Sequence, residues 1–187
     1  MIAEQKQVYT ADEFEAIADA ADADDRLLEL IDGETIEKMP SEAHGLVQSN
    51  FVLVFKPFVR KHKLGRVTTE PRHRTKNDNR NVRLPDVAFT STERKLPLTT
   101  KGSVPQMPDL IVEIQSPDDS MASLRRKAAY YLANGVKIVI LAYPSKRLLE
   151  VYRDNGDIDI LRETDTLEGY DVLPGFTIPV HELFEDD

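Results

Sequence analysis

Apolar residues recur in this chain with two distinct periods. In Ala11–Ala21 and in the stretch after Ser41 they fall at helical intervals. Around Leu27, Val87, Leu110 and Val136 they alternate or run together as strands do. Thr10-Ala-Asp-Glu13 is a capping-box pattern, so a first helix is predicted from Ala11 to about Ala21. LLELIDGETIEKM then reads as two short strands about Asp32-Gly33, a dipeptide suited to a type I′ turn. Ser41 is placed to cap a second helix whose apolar positions are Val47, Phe51, Val54, Phe55 and Phe58, with Pro57 inside it as a kink or an early stop.

Beyond Gly65 the pattern is mostly that of strands. Arg66–Thr69 and Val87–Thr90 are two candidates, and His73-Arg74 with Val82-Arg83 form a possible hairpin around KNDNRN. ERKLPLTTKGSVPQMP reads as a long loop. DLIVEIQ is the most apolar strand, SPDDS breaks it, and a third helix is expected from Met121 to about Asn134, ending at Asn134-Gly135. VKIVILAYP is an unbroken apolar run, typical of a strand covered on both faces. A hairpin about Asn155-Gly156 follows, and VLPGFTIPVHELF closes the chain. Strand, helix and strand across residues 110–142 demand a parallel crossover, hence an α/β protein with a mixed sheet. With 187 residues and no repeat or interior linker, residues 1–187 are expected to form a single domain.

Composition narrows the chemistry. The chain has no cysteine, which excludes disulfides, thiolate catalysis and cysteine-bound zinc or iron–sulfur groups. Its four histidines are scattered without an H-E-x-x-H pattern, so a metal here would take oxygen ligands, which favours magnesium or manganese. No segment approaches the roughly 18 apolar residues of a membrane span. The acidic start, MIAEQKQVYTADEFE, lacks the form of a signal peptide, and a cytoplasmic location without membrane contact is expected.

Net charge is −9, yet it is unevenly spread. Met1–Glu42 holds 13 acids against 3 bases, whereas Lys56–Arg83 holds 10 bases against Glu70 and Asp78. Fields are screened over about 8–10 Å, so the cationic segment can bind a polyanion despite the overall charge; a merely solvated charged hairpin is the alternative.

Within DLIVEIQ, Leu110, Val112 and Ile114 share one face of a strand, and Ile111, Glu113 and Gln115 share the other. Glu113 and Gln115 then project together about 6.5 Å apart, while Asp109 lies roughly 13 Å from Glu113, too far to share an ion with it. A carboxylate among isoleucine and valine is costly unless a cation compensates it. Asp86, following Pro85 in RLPDVAF, supplies a second acid at a strand end. Two carboxylates from neighbouring strands, a backbone carbonyl and water would make a hard-oxygen site for magnesium. Lys127 sits at the edge of the apolar stripe Met121, Leu124, Ala128, Tyr131 and Leu132. It can snorkel outward or reach inward toward the carboxylates, where it would orient water or stabilise phosphorane charge. The plainer alternatives are a buried Glu113–Lys127 ion pair and an Asp86 that caps a backbone amide.

Pro85-Asp86 followed by Glu113-x-Gln115 resembles the PD-(D/E)XK nuclease signature. More narrowly, LLELIDGETIEKMPSEAHG, RLPDVAFTS, PDLIVEIQSPDDS, KAAYYLANGVKIVILAYP and DVLPGFTIPVHELF, spread over roughly residues 26–184, are similar to the Uma-two family of restriction endonucleases. The resemblance implies a restriction-endonuclease-like mixed β-sheet flanked by helices, with an N-terminal helix and β-hairpin added. It also implies metal-dependent cleavage of DNA phosphodiester bonds. Asp86 and Glu113 match the metal-binding acids. Gln115 stands where the motif has lysine, and Lys127, in KAAYY, matches a position from which a helix lysine takes over that role. His44, in SEAHG, matches a recurring histidine that would help bind metal or phosphate, or else hydrogen-bonds locally at the helix start. Glu29 matches the ELIDG strand and is read as structural. A homodimer is common for this fold and suits the pseudo-symmetry of a DNA duplex. The rival expectation is a catalytically inactive nuclease-fold module for nucleic-acid binding or protein assembly.

Overall fold

In the computed structural model, residues 7–22 and 24–186 are described, and they divide into two compact units. One draws on Met1–Met39, Pro71–Leu84 and Pro97–Met107, the other on Pro40–Glu70, Pro85–Leu96 and Pro108–Asp187.

The first unit begins with α1 (Ala11–Asp22). Its start is closed reciprocally, as the sequence predicts: the Thr10 amide donates to Glu13 Oε2 over 2.8 Å, and the Glu13 amide to Thr10 Oγ1 over 3.3 Å. β1 (Leu27–Ile31) and β2 (Glu34–Lys38) pair as an antiparallel hairpin. Asp32 and Gly33 both take positive φ, 52° and 89°, as a type I′ turn requires. Ala11, Phe14, Ala18 and Ala21 of the helix pack with Leu28, Leu30 and Val82 into a small core. The hairpin expected around KNDNRN is reduced to a single bridge, His73↔Arg83, with His73 also bridging Val104. The ladder stops there because Asn81 and Asp78 spend their side chains on local bonds, Asn81 donating to Asp78 and Asp78 accepting from the Arg80 amide.

The second unit is built on a six-stranded sheet. Its strands are β3 (Gly65–Thr69), β4 (Val87–Ser91), β5 (Leu110–Ile114), β6 (Ile138–Tyr143), β7 (Leu148–Arg153) and β8 (Ile158–Arg162), in that spatial order. Only β5 and β6 run parallel, joined through α3 (Met121–Ala133); every other neighbouring pair is antiparallel. This is the mixed sheet that the residue 110–142 pattern demands. Two short strands, β9 (Thr166–Glu168) and β10 (Thr177–Pro179), form a separate pair.

One face of the sheet carries α2 (Glu42–His62), whose Val47, Phe51, Phe55 and Val59 bury against Val87, Phe89, Leu110, Val112 and Ile140. Fully burying each such large side chain is worth about 1.5–3 kcal/mol, and this is the main core of the unit. Ser41 caps α2 by accepting from the His44 amide, and Lys63 ends it in the left-handed conformation. Pro57 does not stop the helix. The carbonyl it deprives of a partner belongs to Leu53, a residue 64% exposed, where water can take the lost bond. The opposite face carries α3, with Leu124, Ala128 and Tyr131 buried.

Candidate active site

Alternation along β5 sends Val112 and Ile114 into the α2 core and leaves Glu113 on the α3 face, 2% exposed. The antiparallel β4–β5 register pairs Val87 with Val112. One step further places Asp86 beside Glu113, with Cα atoms about 4.5–5.5 Å apart. Pro85 offers no amide to the ladder, so the chain turns into β4 here and Asp86 sits at the strand end, fully buried.

Asp86 is held from several sides. Its Oδ2 accepts the Ile114 amide over 2.6 Å and lies 3.1 Å from His44 Nε2, which is also buried. Its carbonyl accepts from Gln48 Nε2 over 3.0 Å, one helical turn beyond His44. Both ring nitrogens of His44 are buried, and neither makes a hydrogen bond of good geometry among the described residues. Across the strand pair, Glu113 Oε1 accepts the Tyr131 hydroxyl over 2.6 Å, and Oε2 accepts Lys127 Nζ over 3.2 Å. Lys127 is therefore turned inward, with its side chain only 13% exposed. Lys127 and Tyr131 stand one turn apart on α3, so a single helix face delivers both donors. Lys127 places a cation against the buried Glu113 carboxylate and offsets the cost of its desolvation.

The donor set discriminates among metals. Among the described residues no three or more of His, Cys, Asp and Glu converge, so a cage of the zinc type is not built here. A pair of carboxylates suits magnesium or manganese, which are held by one or two protein acids. The orphaned His44 Nδ1 agrees with a further polar occupant at this centre.

A family model described as "Uma2: Putative restriction endonuclease" matches residues 11–181. The chain belongs to the Uma2 family. Among solved structures it is similar to "a putative nuclease belonging to DUF820 from Anabaena variabilis ATCC 29413", 23% identical, over 84% of this chain and 89% of that one, with a TM-score of 0.73. At that identity the likeness establishes a shared fold, that of a nuclease-type α/β protein. A DrdV–DNA complex solved by electron cryomicroscopy also aligns, at 14% identity over 62% of this chain and 85% of that one, with a TM-score of 0.34. No curated protein matches the chain. Uma2 membership supports a hydrolase acting on nucleic acid.

In this Uma2 chain, four of the five expected site residues meet: Asp86 with His44, and Glu113 with Lys127. Gln115 does not join them. Its Nε2 donates to the Asp119 carbonyl over 2.9 Å, which ties it to the turn before α3. Asp109 is occupied as well. Burial alone would raise its carboxyl, but the Ser91 amide and Arg94 together hold it below the ordinary range. Two contributors were not singled out for the site from sequence. Tyr131 was read as part of an apolar stripe, although its spacing of four from Lys127 carried the signal. Gln48, four after His44, follows the same rule on α2.

The cationic segment does not act as one track. Arg72 donates to Asp19 over 2.7 Å and to Asp22 over 2.9 Å, Arg74 donates to Asp12 over 2.6 Å, and the buried Arg83 donates to Asn81 over 2.8 Å. The acid-rich α1 thus neutralises the bases nearest to it. Among the described residues no helix is long and apolar enough to cross a membrane.

Proposed function

We propose that this Uma2 protein, with residues 1–187 acting as one domain, is a magnesium- or manganese-dependent endonuclease that hydrolyses DNA phosphodiester bonds. The observation that carries the proposal is the inward Lys127. It brings a fixed positive charge to Glu113, which compensates for the neutral Gln115 in the usual lysine position. Asp86 and Glu113 would hold the cation. Bound there, it would polarise the scissile phosphate and make water a better nucleophile. Lys127 Nζ holds its charge where an extra negative charge develops on phosphorus, and it can orient the attacking water. His44 Nε2 lies 3.1 Å from Asp86 Oδ2, and its Nδ1 would be available to a water or phosphate oxygen. Tyr131 holds Glu113 in one rotamer, a positioning role. A homodimer acting on the two strands of a duplex, in the cytoplasm, completes the reading.

The second reading is a catalytically inactive module that keeps the nuclease fold. It is favoured by the saturation of Glu113, both of whose oxygens already accept hydrogen bonds from the protein. Incubating purified protein with supercoiled plasmid and magnesium or manganese, beside Glu113→Ala and Lys127→Ala, separates the two. Nicking by the wild type that both substitutions abolish supports the endonuclease. Nicking that survives Glu113→Ala sinks the assignment, and no nicking by any form, on plasmid or short duplex, favours the inactive module.

A further inference from the structure

The last turns of α2, the first residues of β3 and the loop after β4 enclose an open groove of about 440 Å³. Lys56, Arg60, Lys63, Arg66 and Lys95 line it, with Thr92 among them and no acid. Lys56 and Arg60 stand at i and i+4 on one helix face, and Lys63, the C-cap residue of α2, lines the same groove. No acid occurs between Glu42 and Glu70, in a chain whose net charge is −9. Like charges at i, i+4 weaken a helix by a few tenths of a kcal/mol per pair (about 0.2–0.5), and here no acid on the face offsets them. The helix dipole accounts for cations in the last turn, at Arg60 and Lys61. It accounts for neither Lys56, about one turn earlier, nor Arg66 and Lys95, which lie outside the helix.

Two features of the groove look built. Arg66 Nη2 donates to the Leu96 carbonyl, which restricts its guanidinium, and Gly65 lets β3 approach β4 so closely that a Cβ there would lie 2.1 Å from the Thr90 carbonyl oxygen. The groove also lies far from the candidate active site. From His44 near the start of α2 to Arg60 near its end the helix rises about 24 Å.

We propose that this groove is a second DNA-binding site, which holds the phosphate backbone of duplex DNA remote from the cleavage centre. The inference rests on the reading of the chain as acting on DNA, but not on its being catalytically active. A row of flexible ammonium groups beside a restrained guanidinium suits a run of phosphates rather than a single anion. The groove would thereby contact a few backbone phosphates, less than one turn of duplex from the cleavage centre, and affinity would depend on salt through this groove in particular.

The test measures binding of a labelled 30-base-pair duplex without divalent cation, across a salt series. The forms compared are wild type, Lys56→Gln/Arg60→Gln/Lys95→Gln, and a control of equal charge change, Lys76→Gln/Lys101→Gln/Arg162→Gln. The groove variant is expected to bind at least tenfold more weakly, with the slope of log affinity against log salt reduced by about 2–3. The control is expected to stay within about twofold, and thermal melts establish that all forms are folded. An unchanged affinity and slope in the folded groove variant would overturn the proposal. So would an equal loss in the control, tenfold tighter binding of single-stranded RNA than of duplex, or no duplex binding by the wild type. Because no cleavage is read, a failure of the endonuclease assignment in the plasmid assay leaves this outcome interpretable.

Discussion

Lys127 Nζ donates to Glu113 Oε2 over 3.2 Å, from a helix to a strand, and the two side chains are 13% and 2% exposed. The pair can be a catalytic feature or only the neutralisation of a buried acid. The two roles separate in a double substitution. Lys127→Met alone leaves a buried carboxylate unpaired and is expected to cost about 3 kcal/mol or more. Adding Glu113→Gln removes the stranded charge, so the double variant should recover most of its stability. Under the endonuclease reading it recovers no nicking, falling by at least about a hundredfold relative to wild type. Chemical denaturation and plasmid nicking on the same preparations check both halves. A stable double variant with undiminished nicking would refute a catalytic role for the pair.

Tyr131 is buried and gives its hydroxyl to Glu113 Oε1 over 2.6 Å. Tyr131→Phe keeps the ring and loses that bond to a charged acceptor, worth about 1.5–3 kcal/mol. The expected result is a lower denaturation midpoint together with reduced nicking and unchanged duplex affinity. Full nicking activity in Tyr131→Phe would show that Lys127 alone suffices to place Glu113.

The elements that were legible in the sequence are those whose signals are local. The Thr10–Glu13 box, the Asp32-Gly33 turn, the Ser41 cap and the alternation that singles out Glu113 each involve residues within a few positions of one another. What stayed open depends on contacts between distant residues. Whether Lys127 snorkelled or turned inward was settled by the position of β5 under α3, which no helical periodicity encodes. The clamp on Arg72 by Asp19 and Asp22 joins residues about fifty positions apart, so the segment looked like one continuous cationic track. Gln115 shows the same limit. The period of two put it on the face of Glu113, but it lies just past the end of β5, and the Asp119 carbonyl captures its side chain.

Glu150 on β7 lies in one row with Leu141 and Glu113 across the sheet, about 10 Å from Glu113. Arg125, the Tyr143 hydroxyl and the Tyr152 hydroxyl all donate to it, and the Arg125 guanidinium first of all holds its carboxyl below the ordinary range. A carboxylate whose folded pKa is depressed stabilises above its unfolded value, and that stability drains away as pH falls below about 4.5. Glu150→Gln should therefore destabilise the protein by about 1–3 kcal/mol at pH 7. It should also lose less stability than wild type between pH 5 and pH 3. Urea midpoints at the three pH values decide it; parallel acid sensitivity in both proteins would show that the cluster contributes nothing to it.

His73 titrates in the opposite chemical sense but in the same direction of pH. It is 3% exposed, its Nδ1 lies 2.7 Å from the Gln106 carbonyl oxygen, and its Nε2 is buried with no partner among the described residues. Burial pushes its pKa down from 6.5 to about 4, against the weaker upward pull of Gln106. The unfolded chain therefore binds the proton more readily than the folded one. Stability from this group is complete above pH 6.5 and is lost as pH falls toward 4, by roughly 3 kcal/mol in all. His73→Phe retains an aromatic ring and cannot titrate. It should give up the Gln106 bond at every pH, and the part of the acid destabilisation between pH 6.5 and 4 that belongs to His73 should vanish. Guanidinium midpoints of both proteins at pH 7 and pH 4.5 provide the comparison. If the variant loses as much stability over that interval as the wild type, His73 is not the group that senses the proton.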